Sequence, residues 1–308
     1  MRFVIGKEQD GMTVLFVLKN VLCLSAGMIR HIKYLDDGIM LNSERVTVRR
    51  TVKEGDELFL NTSDTVSNDK IVPCELSIGI IYEDDDLVIP DKPPFMPTHP
   101  SHGHYDDTVA NALAYRYREE SLPFVFRPIN RLDRNTSGAL IIARNRISAA
   151  KLTRSMYDKR IQKKYVAVLD GVLGDDEGVI DTYMRRTAES IIVREVCEEE
   201  EGADRALTRF KVIARSDRAT LVLAEPVTGR THQLRVHFAY LGCPIVGDEL
   251  YGSVSGDISR HALHSAEISF PHPSTGENMR CRAPLPLDMR LLVNKLFSHK
   301  DTDNEIFV

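Results

Sequence analysis

The chain has 308 residues, of which 43% are hydrophobic and 28% charged, with a net charge of −5. That length holds a large core plus one small accessory domain, and no apolar run approaches the ~20 residues of a helical membrane span. Five scattered cysteines, odd in number and without a C-x-x-C pair, exclude a disulfide framework and a zinc site. Met1-Arg-Phe-Val-Ile passes at once into polar residues, too short a segment for a signal peptide. A cytoplasmic protein with reduced thiols is expected.

Residues 12 to about 60 read as a small unit. Val14-Leu-Phe-Val-Leu-Lys-Asn-Val-Leu has helical apolar spacing. Ser25 is placed to cap a second helix from Ala26 to about Leu35, which carries Arg30, His31 and Lys33. Asp37-Gly38 turns the chain into Ile39-Met-Leu-Asn, and Val52 to Leu60 closes the unit as turn and strand. The polar run Asn61 to Pro73 marks a boundary. The expected division is a small domain over 1–65, a linker over 66–75, a large domain over 76–300 and a tail over 301–308.

In the large domain, Ile80 to Ile89 predicts two strands around an acidic turn. Pro90 to Ser101 follows as a proline-stiffened loop. His99, His102 and His104 have no cysteine or acid at matching spacing and are not read as metal ligands. Asp106 or Asp107 is expected to cap a helix through Tyr117. Arg127-Pro-Ile-Asn-Arg-Leu-Asp-Arg-Asn-Thr-Ser-Gly then places Asp133 between Arg131 and Arg134, in a turn ahead of the apolar run Ala139-Leu-Ile-Ile-Ala. A helix from about Ala149 to Lys159, started at Ser148 or a neighbour, presents Lys151, Arg154, Lys159 and Arg160. Tyr165 falls on the next strand, and Leu207 to Ile213 and Ala219 to Pro226 are further strands. Thr231 is expected to cap a helix through about Leu241. On it Leu234, Phe238 and Leu241 form an apolar stripe, with Arg235 at its edge and His232 beside Arg235. A last helix runs from about Leu287 to Phe297.

A charged carboxylate held in a loop before a core strand can act as nucleophile or base, and neighbouring positive charge favours the charged form. From Arg127 to Tyr165 the chain carries eleven Lys/Arg against two acids, a local balance of +9. Such a patch suits phosphate, whatever the overall charge.

The Asp133 loop resembles the H-R-L-D-R-x-T-S-G signature of the RluA-type RNA pseudouridine synthases. Lys163-Lys-Tyr-Val-Ala-Val-Leu-Asp-Gly resembles the family's K-x-Y-x-A-x-V-x-G segment. Thr228-Gly-Arg-Thr-His-Gln-Leu-Arg-Val-His, with Gly242-Cys-Pro-Ile-Val-Gly-Asp and Leu250-Tyr-Gly, is similar to its third motif. The loop from Pro90 resembles N-K-P-x-G-x-x-x-H-P-S, with Asp91 and Pro94 as departures. Asn130 and Asn135 stand where the family commonly has His and Asp. Residues 12–60 are loosely similar to the small RNA-binding domain that precedes many bacterial members, with fewer basic residues.

The resemblance implies an α+β fold: a mixed, mainly antiparallel sheet flanked by helices and loops, plus the small N-terminal domain. It implies isomerisation of uridine to pseudouridine in structured ribosomal or transfer RNA, by a monomer, with no cofactor and no metal. Asp133 is then the nucleophile, attacking either base or sugar. Arg235 pairs with it, and Tyr165 lies against the target base as a candidate for proton transfer. Arg131, Arg134, Thr136, Lys163, Lys164, Arg230 and His232 are the expected substrate contacts. A non-catalytic RNA-binding protein of the same fold is the main alternative. A hydrolase using Asp133 calls for further acids or a metal beside it, and the surroundings are basic instead.

Overall fold

The computed structural model describes residues 2–22, 24, 26–61 and 71–297. Strands β1 (Arg2–Val4), β2 (Ile39–Leu41), β3 (Glu44–Arg45) and β4 (Glu57–Leu60) form a sheet of order β1-β4-β2-β3. Helix α1 (Val14–Phe16) starts where the Thr13 hydroxyl accepts the Phe16 N–H, and runs on as a π-helical turn, Val17–Val21. Helix α2 (Ala26–Lys33) keeps Arg30, His31 and Lys33 in its last turn and buries Ile29 and Ile32. These join Leu41, Leu58 and Leu60 in one core, which also takes in Ile147 from the larger part of the chain. Ser25, residues 66–70 of the expected linker and the tail lie outside the described residues.

The second sheet has eleven strands: β5 (Gly79–Glu83), β6 (Leu87–Lys92), β7 (Ser137–Ala139), β8 (Ile142–Ala143), β9 (Gln162–Asp170), β10 (Glu177–Arg186), β11 (Arg194–Cys197), β12 (Asp204–Arg215), β13 (Ala219–Pro226), β14 (Leu263–Pro271) and β15 (Asn278–Arg282). Its path is β11-β10-β12-β13-β9-β14-β7-β6-β5, with β15 on β14 and β8 on β6. Every pairing is antiparallel except β14 with β7. The fold is α+β, as expected. Gly138 permits the parallel pair: its φ is +109°, and a Cβ there would meet the Ser265 carbonyl oxygen at 2.3 Å.

Helices α3 (Val109–Glu119), α4 (Arg146–Tyr157), α5 (Gln233–Tyr240) and α6 (Leu287–Phe297) flank this sheet. Three helix starts differ from expectation. Thr108, not Asp106 or Asp107, caps α3 in a reciprocal box with Asn111, while Asp107 is taken by His104 at 2.6 Å. Asn145, not Ser148, caps α4 by accepting the Ser148 N–H at 2.9 Å. At α5 the Thr231 hydroxyl is occupied by Arg131, and the cap position falls to His232 in the left-handed conformation.

The run Ala139 to Ala143 is also not one strand. The Ile141 N–H bonds to the Asn130 side chain and its carbonyl accepts the Ile129 N–H, which splits the run into β7 and β8. Leu241 of the expected stripe is exposed, whereas α5 buries six residues in succession from Gln233 to Phe238.

Candidate active site

The turn carrying Asp133 is held by its own backbone. Its Asp133 carbonyl accepts the Thr136 N–H at 3.1 Å. Buried Thr98 accepts the Leu132 N–H at 3.2 Å and donates to the Leu132 carbonyl at 3.0 Å. Lys92, fully buried, donates to the Arg134 carbonyl at 2.9 Å and to the carbonyls of Pro93 and Met96. Burial pushes its pKa down to about 7, while three carbonyl acceptors require all three N–H bonds of the ammonium and favour it. Arg260, 1% exposed, donates to the Asn135 carbonyl at 2.9 Å and forks onto Asp288 at 2.7 and 3.1 Å. Four consecutive residues, 132–135, are thus fixed through main-chain atoms, leaving the Asp133 side chain free to project. Fixing a reactive group through a rigid shell is what an active site needs.

That side chain opens into a cleft of about 600 Å³ and is 29% exposed. Arg235, 5% exposed, reaches it from α5 with Nη1 at 3.4 Å from Oδ2. The stronger contact of Arg235 is elsewhere. Its Nε and Nη2 each donate to Asp248 at 2.7 Å, and its guanidinium lies 5.1 Å above the Tyr251 ring. Burial opposes the charge of Asp248, yet the Arg235 hydrogen bonds hold its carboxyl below the usual range. Arg235 is likewise penalised by burial but held charged by Asp248 and, beyond it, by Asp133. The guanidinium is therefore anchored on Asp248 and leans on Asp133 at a length that leaves the latter's other oxygen open. Among the described residues that oxygen, Oδ1, receives no hydrogen bond.

His232 has φ 58°. Its Nδ1 lies 2.8 Å from the Tyr251 hydroxyl and its Nε2 3.9 Å from Asp133 Oδ2. Burial pushes its pKa down; Asp133 opposes that push and Arg235 adds to it. Tyr165 is buried on β9, and burial raises its pKa, with a Ser265 hydrogen bond working the other way and the charge of Asp133 adding to the rise. It is a neutral phenol.

The structure brings Asp133, Tyr165, Arg235, Arg131, Thr136, Arg230, His232 and Lys163 to one cleft. Arg131 is exposed at its rim, with a 2.8 Å hydrogen bond to Thr231. Thr136 is buried, 2.8 Å from His261 Nε2. Arg230 pairs with Asp204 at 3.0 Å.

Two expected contacts lie elsewhere. Alternation along β9 turns Lys164 to the face opposite Lys163 and Tyr165, where Glu267 and Glu225 take it at 3.6 and 3.9 Å. Arg134 points out of the cleft toward the Phe95 carbonyl at 3.3 Å. Of the basic residues on and after α4, Lys159 lines the cleft, whereas Lys151 donates to the Pro273 carbonyl and Arg154 and Arg160 share Asp158.

Asp248, Tyr251, Lys92, Arg260 and Thr98 were not singled out from sequence. Gly247-Asp248 and Leu250-Tyr251 were visible inside the third motif, and Lys92 inside the loop motif, but nothing local marks Arg260. The three histidines of the 99–104 segment form no cluster. The described residues that do converge are Asp84, Asp86 and His272, whose ligand atoms lie within 4.8 Å of one another. Both oxygens of Asp84, Oδ1 of Asp86 and both ring nitrogens of His272 are engaged by hydrogen bonds, to Tyr82, Asn145, Ser148, nearby backbone N–H groups and one another.

The sequence profile described as RNA pseudouridylate synthase matches residues 86–240. A Bacillus subtilis protein described as "Uncharacterized RNA pseudouridine synthase YjbO" is 35% identical over 88% of this chain and 95% of its own. The ribosomal large subunit pseudouridine synthase D of Blochmanniella floridana is 31% identical over 94% and 96%. Among solved structures, human RNA pseudouridylate synthase domain containing 1 superposes with a TM-score of 0.57 at 28% identity, over 73% of this chain and 96% of that one. Its counterpart, domain containing 4, does so at 0.59 and 22% identity, over 71% and 92%.

Proposed function

The chain belongs to the RNA pseudouridine synthase family, and we propose that it acts on large-subunit ribosomal RNA with Asp133 as the nucleophile. The family reaction isomerises uridine to pseudouridine. The bond from ribose C1′ to N1 of the base breaks, a bond from C1′ to C5 forms, and one proton leaves C5 while N1 gains one. Nothing is consumed, so binding, orientation and charge are what the protein must supply. The ribosomal substrate is suggested by the synthase D relatives; transfer RNA is the competing target. No helix among the described residues is long and apolar enough to cross a membrane.

The observation that carries the mechanism is the anchoring of Asp133: backbone clamps on each side, and a guanidinium 3.4 Å away that is itself fixed on Asp248. A flipped uracil, extruded at a cost of about a few kcal/mol, would enter the cleft between this carboxylate and Tyr165. The neutral phenol suits a contact surface and hydrogen-bond donor rather than a base for the C5 proton. Asp133 can attack either C1′ or the ring from this position. Asp133→Asn keeps the shape and removes the nucleophile. Turnover should fall on the order of a thousandfold or more while RNA affinity stays close to wild type. Chemical mapping of pseudouridine in ribosomal and transfer RNA, from cells with and without each variant, tests both parts. Wild-type conversion by Asp133→Asn would remove the nucleophile assignment, and a loss confined to transfer RNA would remove the ribosomal one.

A further inference from the structure

Lys163 is 9% exposed, and its side chain lines the Asp133 cleft. Among the described residues no group forms an ion pair or hydrogen bond with it. The acids within reach of β9, Glu225 and Glu267, are engaged by Lys164 on the other face. Arg235, the other deeply buried cation of the cleft, has two carboxylates. Burial opposes the charge of Lys163, and no neighbouring carboxylate relieves it. Its Nζ stands over the backbone of Gly229, 3.8 Å from where a Cβ would sit, on the wall facing β9. Long lysine stems often cover apolar surface while their heads reach bulk water, but this head remains inside the cleft. A buried ammonium without a partner costs several kcal/mol or loses its proton, so a site that keeps one needs an anion from outside the protein.

Resting on the reading that this cleft holds a flipped uridine, we infer that Lys163 binds a backbone phosphate of the RNA immediately beside the target nucleotide. Lys163 and Tyr165 share one face of β9, about 6.6 Å apart along the strand. That is the span of one sugar between a base stacked on Tyr165 and its own phosphate. Lys163 thereby sets which nucleotide of an extruded segment is presented to Asp133. A compact ammonium is suited to a phosphate as a point charge.

The experiment first identifies the uridine that the wild-type enzyme converts in transcribed large-subunit ribosomal RNA, then uses a stem–loop transcript carrying it. Lys163→Met and Lys163→Arg are compared with wild type for binding across a salt series, turnover and thermal unfolding. Lys163→Met should weaken binding roughly tenfold to a hundredfold and reduce the slope of log affinity against log salt by about 0.7–0.9, one phosphate contact. Its melting temperature should be unchanged or raised, because an unpaired buried charge has been removed. Lys163→Arg should retain the slope. A single methylphosphonate beside the target uridine should weaken wild-type binding roughly tenfold to a hundredfold, a reading that stands even if the variant fails to fold, and should add nothing to folded Lys163→Met. Weakened binding with an unchanged slope, or no methylphosphonate effect on the wild type, overturns the phosphate assignment. If the wild type forms no pseudouridine in any transcript, the parent reading fails instead.

Discussion

Arg235 lies 2.7 Å from each oxygen of Asp248 but 3.4 Å from Asp133, so its tighter partner is not the proposed nucleophile. Asp248 is wholly buried. Replacing it with Asn leaves a buried guanidinium short of one charge, and removing one member of a buried pair typically costs about 3–5 kcal/mol. Asp248→Asn should therefore lower the urea midpoint and reduce turnover strongly, with RNA affinity little changed. Arg235→Lys keeps a charge but loses the fork that reaches both acids, and turnover should fall on the order of tenfold or more. Single-turnover assays on the two variants test this; a wild-type rate in Asp248→Asn would show that Arg235 is held by other means. Asp133 and Arg235 were both legible in the sequence, because each sits in a motif rich in chemistry. Asp248 was not, since Gly-Asp reads locally as turn residues and its partner comes from a helix packed against it only in the folded chain.

At the level of elements, the loop before β7 and strand β9 divide the work of the cleft. The loop is rigid because its carbonyls are read from two separate segments, one carrying Lys92 and Thr98 and the other Arg260. Thr98→Val is nearly isosteric and leaves Leu132 without its two side-chain hydrogen bonds. Loss of such buried partners costs about 1–3 kcal/mol. We expect turnover to fall while RNA affinity is retained, because the backbone that aims Asp133 loosens; equal losses in both would place Thr98 in RNA binding instead. Strand β9 shows a different limit. Period-two alternation was available in the sequence and separates Lys163 from Lys164, but two adjacent lysines in a basic stretch read as one patch until the sheet assigns each a face. The start of α5 was missed for a related reason: Thr231 is a good cap by residue type, yet its hydroxyl is committed to Arg131 from a distant loop.

Across the whole molecule, the buried histidines couple folding to acidity. His237, His261 and His264 sit at 0, 4 and 0% exposure, and burial pushes their pKa values down to about 4, 3 and 4 from 6.5. Each buried ring is hydrogen-bonded to hydroxyl or carbonyl groups: His237 to Thr208 and Thr182, His261 to Thr136, His264 to Ser137 and the Ala283 carbonyl, the last of which opposes the downward push of burial. The unfolded chain takes up protons near pH 6.5 that the folded chain refuses until about pH 4 or below. Stability from these groups is thus complete above pH 6.5 and lost as the pH falls through that window, by roughly 1.4 kcal/mol per pH unit for each ring. Urea midpoints measured at about pH 7, 6 and 5 should fall steadily, and replacing His264 with Asn should flatten the slope. A midpoint constant over that range would mean that the rings accept protons where they are. The distinction bears on the site, because His261 is hydrogen-bonded to Thr136 in the Asp133 turn. Activity lost in acid in parallel with the urea midpoint would come from loosening of this scaffold. Activity lost ahead of the midpoint would come from titration within the cleft, where His232 lies 3.9 Å from Asp133.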